Sequence, residues 1–152
     1  MKSYFDFNQF FFLGEVMLDA GDLRVDEISF QCIYRTVINR IYYACFNHAK
    51  EWLDVKYGIK TRVFDIDSRR MINKKNKSEH RIVYEGLWDV AKMVPPNRSL
   101  LFRELSSILK NMFVMRKDAD YNLCGNITLN DVNEVISKGM KIFENLKFRE
   151  EI

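Results

Sequence analysis

The sequence predicts an all-α domain, and three observations carry that expectation. Punctuation is sparse, with two adjacent prolines, Pro95 and Pro96, and six glycines in 152 residues, too little for many short strands. Apolar residues recur at the 3.6-residue helical period in segment after segment. The composition, 47% apolar and 30% charged, is that of a soluble chain able to bury one core, so residues 1–152 read as a single domain.

About five helices follow in order. Residues 4–19 form an aromatic-rich first helix closed by Gly21, a natural residue just past a helix end. Tyr4, Phe5, Phe7, Phe10, Phe11 and Phe12 are too dense for one helix face, which points some of them toward a second copy of the chain. In the second helix Phe30, Ile33, Tyr34, Val37, Ile41, Ala44, Cys45, Ala49 and Trp52 share a face. Its middle, Ile41–Phe46, is apolar nearly all round, so this is the central helix. Asn76-Lys77-Ser78-Glu79 resembles a capping box and opens the third, with Val83, Leu87, Val90 and Ala91 inward. The fourth follows Pro95-Pro96 and turns Leu101, Leu105, Ile108, Leu109, Met112 and Phe113 inward, its period fading before Met115. Thr128-Leu129-Asn130-Asp131 caps the fifth, which carries Val132, Val135, Ile136, Ile142, Phe143 and Leu146. Residues 57–75 read as one long irregular connection between the second and third helices.

That connection holds most of the charge. The chain carries a net +3, yet residues 60–81 have eight basic and three acidic side chains, +5 locally against −2 elsewhere. Arg69, Arg70, Lys74, Lys75 and Lys77 are the candidate nucleic-acid contacts, since a basic segment on a neutral body suits a polyanion. A solvated loop is the competing reading. The longest apolar run is six residues, Ile41–Phe46, far short of the roughly 20 a membrane span needs. With no signal-peptide pattern at the N-terminus, a cytoplasmic protein without a membrane partner is expected. Cys32, Cys45 and Cys124 have no metal-ligand spacing and read as reduced, buried thiols, so no metal and no cofactor is expected.

Catalytic frameworks are mostly absent: no Walker loop, GxGxxG, HExxH or GxSxG occurs. Glu15, Asp19 and Asp22 read as a helix end, and Cys45 with His48 as core. Met115-Arg116-Lys117-Asp118-Ala119-Asp120-Tyr121 is harder to explain by packing, for it gathers four charges before a tyrosine. Arg116 and Asp120 lie four apart and share a face if the segment is helical. Tyr121 reaches the same place only if the helix ends or bends there.

Together with Arg40-Ile41-Tyr42-Tyr43-Ala44-Cys45-Phe46 in the central helix, this run resembles the HEPN family of prokaryotic helical domains. Its members carry an R-x-YYA-x-F-like helix and a later R-x-x-A-D-Y segment. Ser78-Glu79-His80 looks like the Ser/Thr-His that opens the third helix in one branch, and the resemblance covers roughly residues 25–148. It implies a helical bundle that forms a homodimer across the helix bearing the functional arginine. It also implies a metal-independent endoribonuclease-type toxin or phage-defence component, in which RNA's 2′-hydroxyl attacks its own phosphate. An arginine there stabilises negative charge while a histidine beyond four to six intervening residues moves a proton. Those positions hold Tyr121, Asn122 and Leu123 here, so an Arg-x4-Tyr motif stands in place of Arg-x4–6-His. The resemblance implies Arg116, Tyr121 and Asp120 as the catalytic set and Asp118, Arg40 and His80 as supporting residues. The alternative is a non-catalytic binding module for nucleotide, RNA or a protein partner, an antitoxin or a cognate minimal nucleotidyltransferase.

Overall fold

The computed structural model describes Val16, residues 27–74 and residues 77–148. The predicted first helix lies outside the described residues apart from Val16, which is helical. Four helices and one hairpin make up the rest: α1 (Glu27–Tyr57), β1 (Arg62–Asp65), β2 (Arg70–Asn73), α2 (Glu79–Met93), α3 (Pro96–Tyr121) and α4 (Leu129–Asn145). The described chain is mostly helical, and α1 is central, packing on α2, α3 and α4. One apolar core joins Ile41, Cys45 and Leu53 of α1 to Val83, Leu87 and Val90 of α2. Phe102, Leu105 and Met112 of α3 and Val132, Val135 and Ile142 of α4 complete it.

Helix ends follow local chemistry. Gly58 stops α1 with φ 64°, a left-handed conformation that costs a residue with Cβ. Its N–H bonds Asp54 O at 2.9 Å, the 5→1 closure of an αL cap, and the next N–H, of Ile59, bonds Leu53 O at 3.1 Å. Ser78 caps α2 by accepting from Arg81 N. The cap is thus Ser78, with extended backbone, two residues after Asn76, which lies outside the described residues. At α4, Thr128 and Asp131 form the reciprocal capping box.

Residues 57–75 are not one irregular connection. An antiparallel hairpin occupies their middle, pairing Arg62 with Asn73, Val63 with Ile72, Phe64 with Met71 and Asp65 with Arg70. β-Branched and aromatic residues favour the strands, and the last pair sets opposite charges face to face. The turn lacks an Asn-Gly signal. Instead Asp65 Oδ2 accepts from Ser68 N at 2.9 Å, and Arg69 adopts φ 52°. A lone hairpin is marginal in water, and this one is tied down at its base. Lys74 N donates to Thr61 O at 2.8 Å, and the buried Thr61 hydroxyl donates to Glu79 at 2.8 Å. Lys50 of α1 reaches the same carboxylate at 3.0 Å. Burial raises the Glu79 pKa, but these hydrogen bonds outweigh it and the group titrates below the usual carboxylate range.

The buried stripe of α3 also differs from the expected one. Phe102, Leu105, Leu109, Met112, Arg116 and Ala119 are buried, whereas Leu101, Ile108 and Phe113 pack only partly against the core. The period therefore does not fade before Met115. It continues to the helix end, and Arg116 holds a place that spacing reserves for an apolar residue.

Candidate functional site

The site is built around that arginine. Arg116 is only 7% exposed and lies among four rings, its Cζ 5.3 Å from Phe113, 5.4 Å from Tyr43, 5.6 Å from Tyr42 and 5.9 Å from Tyr121. Electron-rich ring faces attract a guanidinium, by roughly 0.5–2 kcal/mol each when water is excluded. A buried cation nevertheless needs a counter-charge. Asp120, one turn on, supplies it, with Oδ2 2.9 Å from Nη1. Burial opposes the charge, but the Asp120 bond outweighs it and raises the Arg116 pKa.

Asp120 is itself held. Asn39 of α1 donates Nδ2 to both carboxylate oxygens, at 3.0 and 3.1 Å. Arg116 Nε is buried without a hydrogen-bond partner, and the Tyr121 side chain also supports the guanidinium charge. Such an arrangement holds a positive edge in place before any ligand arrives, as charge stabilisation requires.

A histidine adjoins the cluster. His80, in the first turn of α2, lies with Nδ1 2.6 Å from the Tyr42 hydroxyl. Its ring stacks on Phe113 at 4.8 Å and packs on Phe46 at 4.6 Å. Burial, then the positive charge of Arg116, lowers the His80 pKa below 6.5, so the imidazole is neutral at pH 7. Burial raises the Tyr42 pKa, so the phenol keeps its proton.

No family model, curated protein or solved structure matches the chain. The reading of the site therefore rests on its own geometry.

The structure brings Arg116, Asp120, Tyr121 and His80 together and sets the other expected residues apart. Tyr121 ends α3, beside Arg116 yet 72% exposed. Arg40 is exposed, and its neighbour Asn39 is the residue that reaches the cluster. Asp118 is also exposed, and its backbone carbonyl accepts from Asn122 N at 3.0 Å. Of the basic residues, Arg69 and Arg70 are exposed at the hairpin turn and Lys74 is half-buried. Lys77 is engaged with Glu85 at 2.6 Å, and Lys75 lies outside the described residues. The hairpin also exposes Phe64 and Ile66.

Sequence reasoning did not find Asn39, Tyr42, Tyr43 or Arg35 as site residues. Arg35 crosses from α1 to the end of α3, donating to Ala119 O at 2.6 Å and Asn122 O at 3.1 Å. A cation there satisfies open carbonyls and suits the helix dipole, holding the end of α3 in place under Arg116 and Tyr121. Among the described residues no helix is long and apolar enough to cross a membrane.

Proposed function

We propose that this chain is a HEPN-like RNA-targeting effector, a metal-independent endoribonuclease-type toxin or phage-defence component acting as a homodimer. The observation that carries the reading is Arg116. A guanidinium buried on the core face of α3 costs several kcal/mol of desolvation, and an apolar residue would fill that place without it. Its pairing with Asp120, which Asn39 in turn holds, suits a group kept in place for an anion. The RNA phosphodiester supplies that anion, and the charge that builds on its oxygens during attack by the 2′-hydroxyl is what a fixed guanidinium stabilises. Arg69 and Arg70, exposed at the hairpin turn, are the candidate contacts for the RNA backbone.

The test is cleavage of defined RNAs in excess chelator, comparing the native chain with Arg116→Ala. Loss of cleavage in a variant that remains folded supports the reading, and undiminished cleavage refutes it.

The exposure of Tyr121 favours a second reading. A hydroxyl that open to solvent, set against a guanidinium, is accessible to a protein partner such as a nucleotidyltransferase or antitoxin. In that case the chain is a non-catalytic HEPN module for RNA, nucleotide or protein. It binds RNA without cutting it, and Tyr121→Phe abolishes the partner's effect.

A further inference from the structure

We propose that His80 Nε2 accepts the 2′-hydroxyl proton during RNA cleavage at Arg116, with Tyr42 as the residue that positions it. The inference rests on the ribonuclease reading above and supplies the proton-transfer group that the Arg-x4-Tyr motif lacks.

The chain has two histidines. His48 is buried near the end of α4, with Nε2 2.7 Å from Leu146 O and its ring 4.5 Å from Phe143, in a different part of the core. His80 is different. Tyr42, Tyr43 and Phe113 form walls for its ring, at 5.7, 6.0 and 4.8 Å, and the same three rings enclose Arg116. The imidazole and the guanidinium thus share one aromatic wall although 36 positions separate them in the chain. No motif with short spacing would detect that pair.

One ring nitrogen is committed and the other is free. Nδ1 faces the Tyr42 hydroxyl at 2.6 Å, whereas Nε2 has no partner among the described residues and is not a buried atom. Tyr42 is 1% exposed, so its hydroxyl needs this hydrogen bond. Burial does not fix which of the two donates. Proton acceptance at Nε2 requires the tautomer in which Nδ1–H donates to the Tyr42 oxygen, for Nε2 then carries the lone pair and can act as a base. Of the charged groups around the ring, Arg116 of α3 and Lys50 of α1 disfavour the imidazolium, while Glu79 of α2 favours it. The phenols of Tyr42 and Tyr43 face it from α1.

The step balances without metal or oxidant. O2′ bonds to phosphorus as its proton passes to Nε2, and the P–O5′ bond breaks with its electron pair going to O5′. The leaving oxygen takes a proton from water, and the imidazolium returns its own to solvent. The products end in a 2′,3′-cyclic phosphate and a 5′-hydroxyl.

The experiment is single-turnover cleavage of an RNA oligonucleotide by the full chain in excess chelator, from pH 4.5 to 8.5. The native protein is compared with Arg116→Ala, His80→Gln and Tyr42→Phe, each checked for native circular dichroism at every pH. The native rate is expected to rise with pH through an inflection below 6.5 and then level. In His80→Gln the rate should fall by about 100-fold or more and the inflection should vanish. Tyr42→Phe, the conservative probe should His80→Gln not fold, should move the inflection to lower pH, because it removes the acceptor that steadies Nδ1–H of the imidazolium.

An unchanged rate and inflection in His80→Gln would overturn the inference. So would an upward move in Tyr42→Phe, which would mean that Tyr42 donates to Nδ1 and that Nε2 carries a hydrogen. Full activity in Arg116→Ala would instead overturn the ribonuclease reading beneath it.

Discussion

Asp120→Ala should destabilise the fold by about 2–3 kcal/mol. Removing one partner of a fully buried ion pair costs roughly 3–5 kcal/mol, because the other charge is left without compensation, whereas an exposed pair is worth under about 1 kcal/mol. The Arg116 side chain is 8% exposed and that of Asp120 24%, so water can reach the vacated place and the cost falls between those limits. Asn39 loses both of its acceptors, a further loss of about 1 kcal/mol. Removing a negative charge from the C-terminal turn of α3 returns roughly 0.3–1 kcal/mol. The ion pair dominates. For a chain of this size the net loss lowers Tm by about 5–10 °C, readable by thermal and urea unfolding. The double variant Arg116→Met/Asp120→Ala removes the stranded charge and should be more stable than Asp120→Ala alone by at least about 1 kcal/mol. A single-variant loss under about 0.5 kcal/mol, or simple additivity in the double variant, would refute the claim that a buried charge is held here by its partner.

Other outcomes follow from the same structure. Gly58→Ala should cost about 1 kcal/mol in urea unfolding, since a Cβ is strained at φ 64° even with open space around it. An unchanged midpoint would remove the left-handed cap of α1 from the account. Acid should weaken the fold early: burial lowers the pKa of both His48 and His80, so between their folded values and 6.5 the unfolded chain binds more protons. Stability is then full above about pH 6.5 and declines as pH falls through that window. Urea midpoints at pH 7.5 and 5.5 check the sign, and His80→Gln should reduce the difference. Arg69→Glu/Arg70→Glu should lower the log–log salt slope of single-stranded RNA binding by about 1.4, near 0.7 for each lost phosphate contact, with a small loss of Tm because Arg70→Glu sets like charges opposite Asp65. An unaltered slope would make the hairpin turn a solvated surface only.

The helices were legible because each shows a 3.6-residue period and recognisable ends. Thr128 with Asp131 and Pro95-Pro96 mark boundaries that the structure shares. The hairpin was not, for Asp65-Ile66-Asp67-Ser68-Arg69 has no glycine or asparagine to announce a turn, and its lysines and arginines suggest a loop. The inward face of α3 was misplaced because Leu101, Ile108 and Phe113 are as apolar as the residues that are buried. Following the stripe Phe102–Leu105–Leu109–Met112 one turn further reaches Arg116, and that mismatch was the available signal. The pairing of Arg116 with Asp120 was readable from four-residue spacing. Asn39, Tyr42 and His80 come from other helices, and their approach depends on how α1, α2 and α3 pack, which no local pattern encodes.

The most direct measurement is end-group analysis of products from matched RNA and all-deoxy oligonucleotides incubated with the chain in excess chelator. Attack by the 2′-hydroxyl at a phosphate held by Arg116 predicts 2′,3′-cyclic phosphate and 5′-hydroxyl ends from the RNA and an intact deoxy strand. Intact RNA, or equal cleavage of both strands, would contradict it.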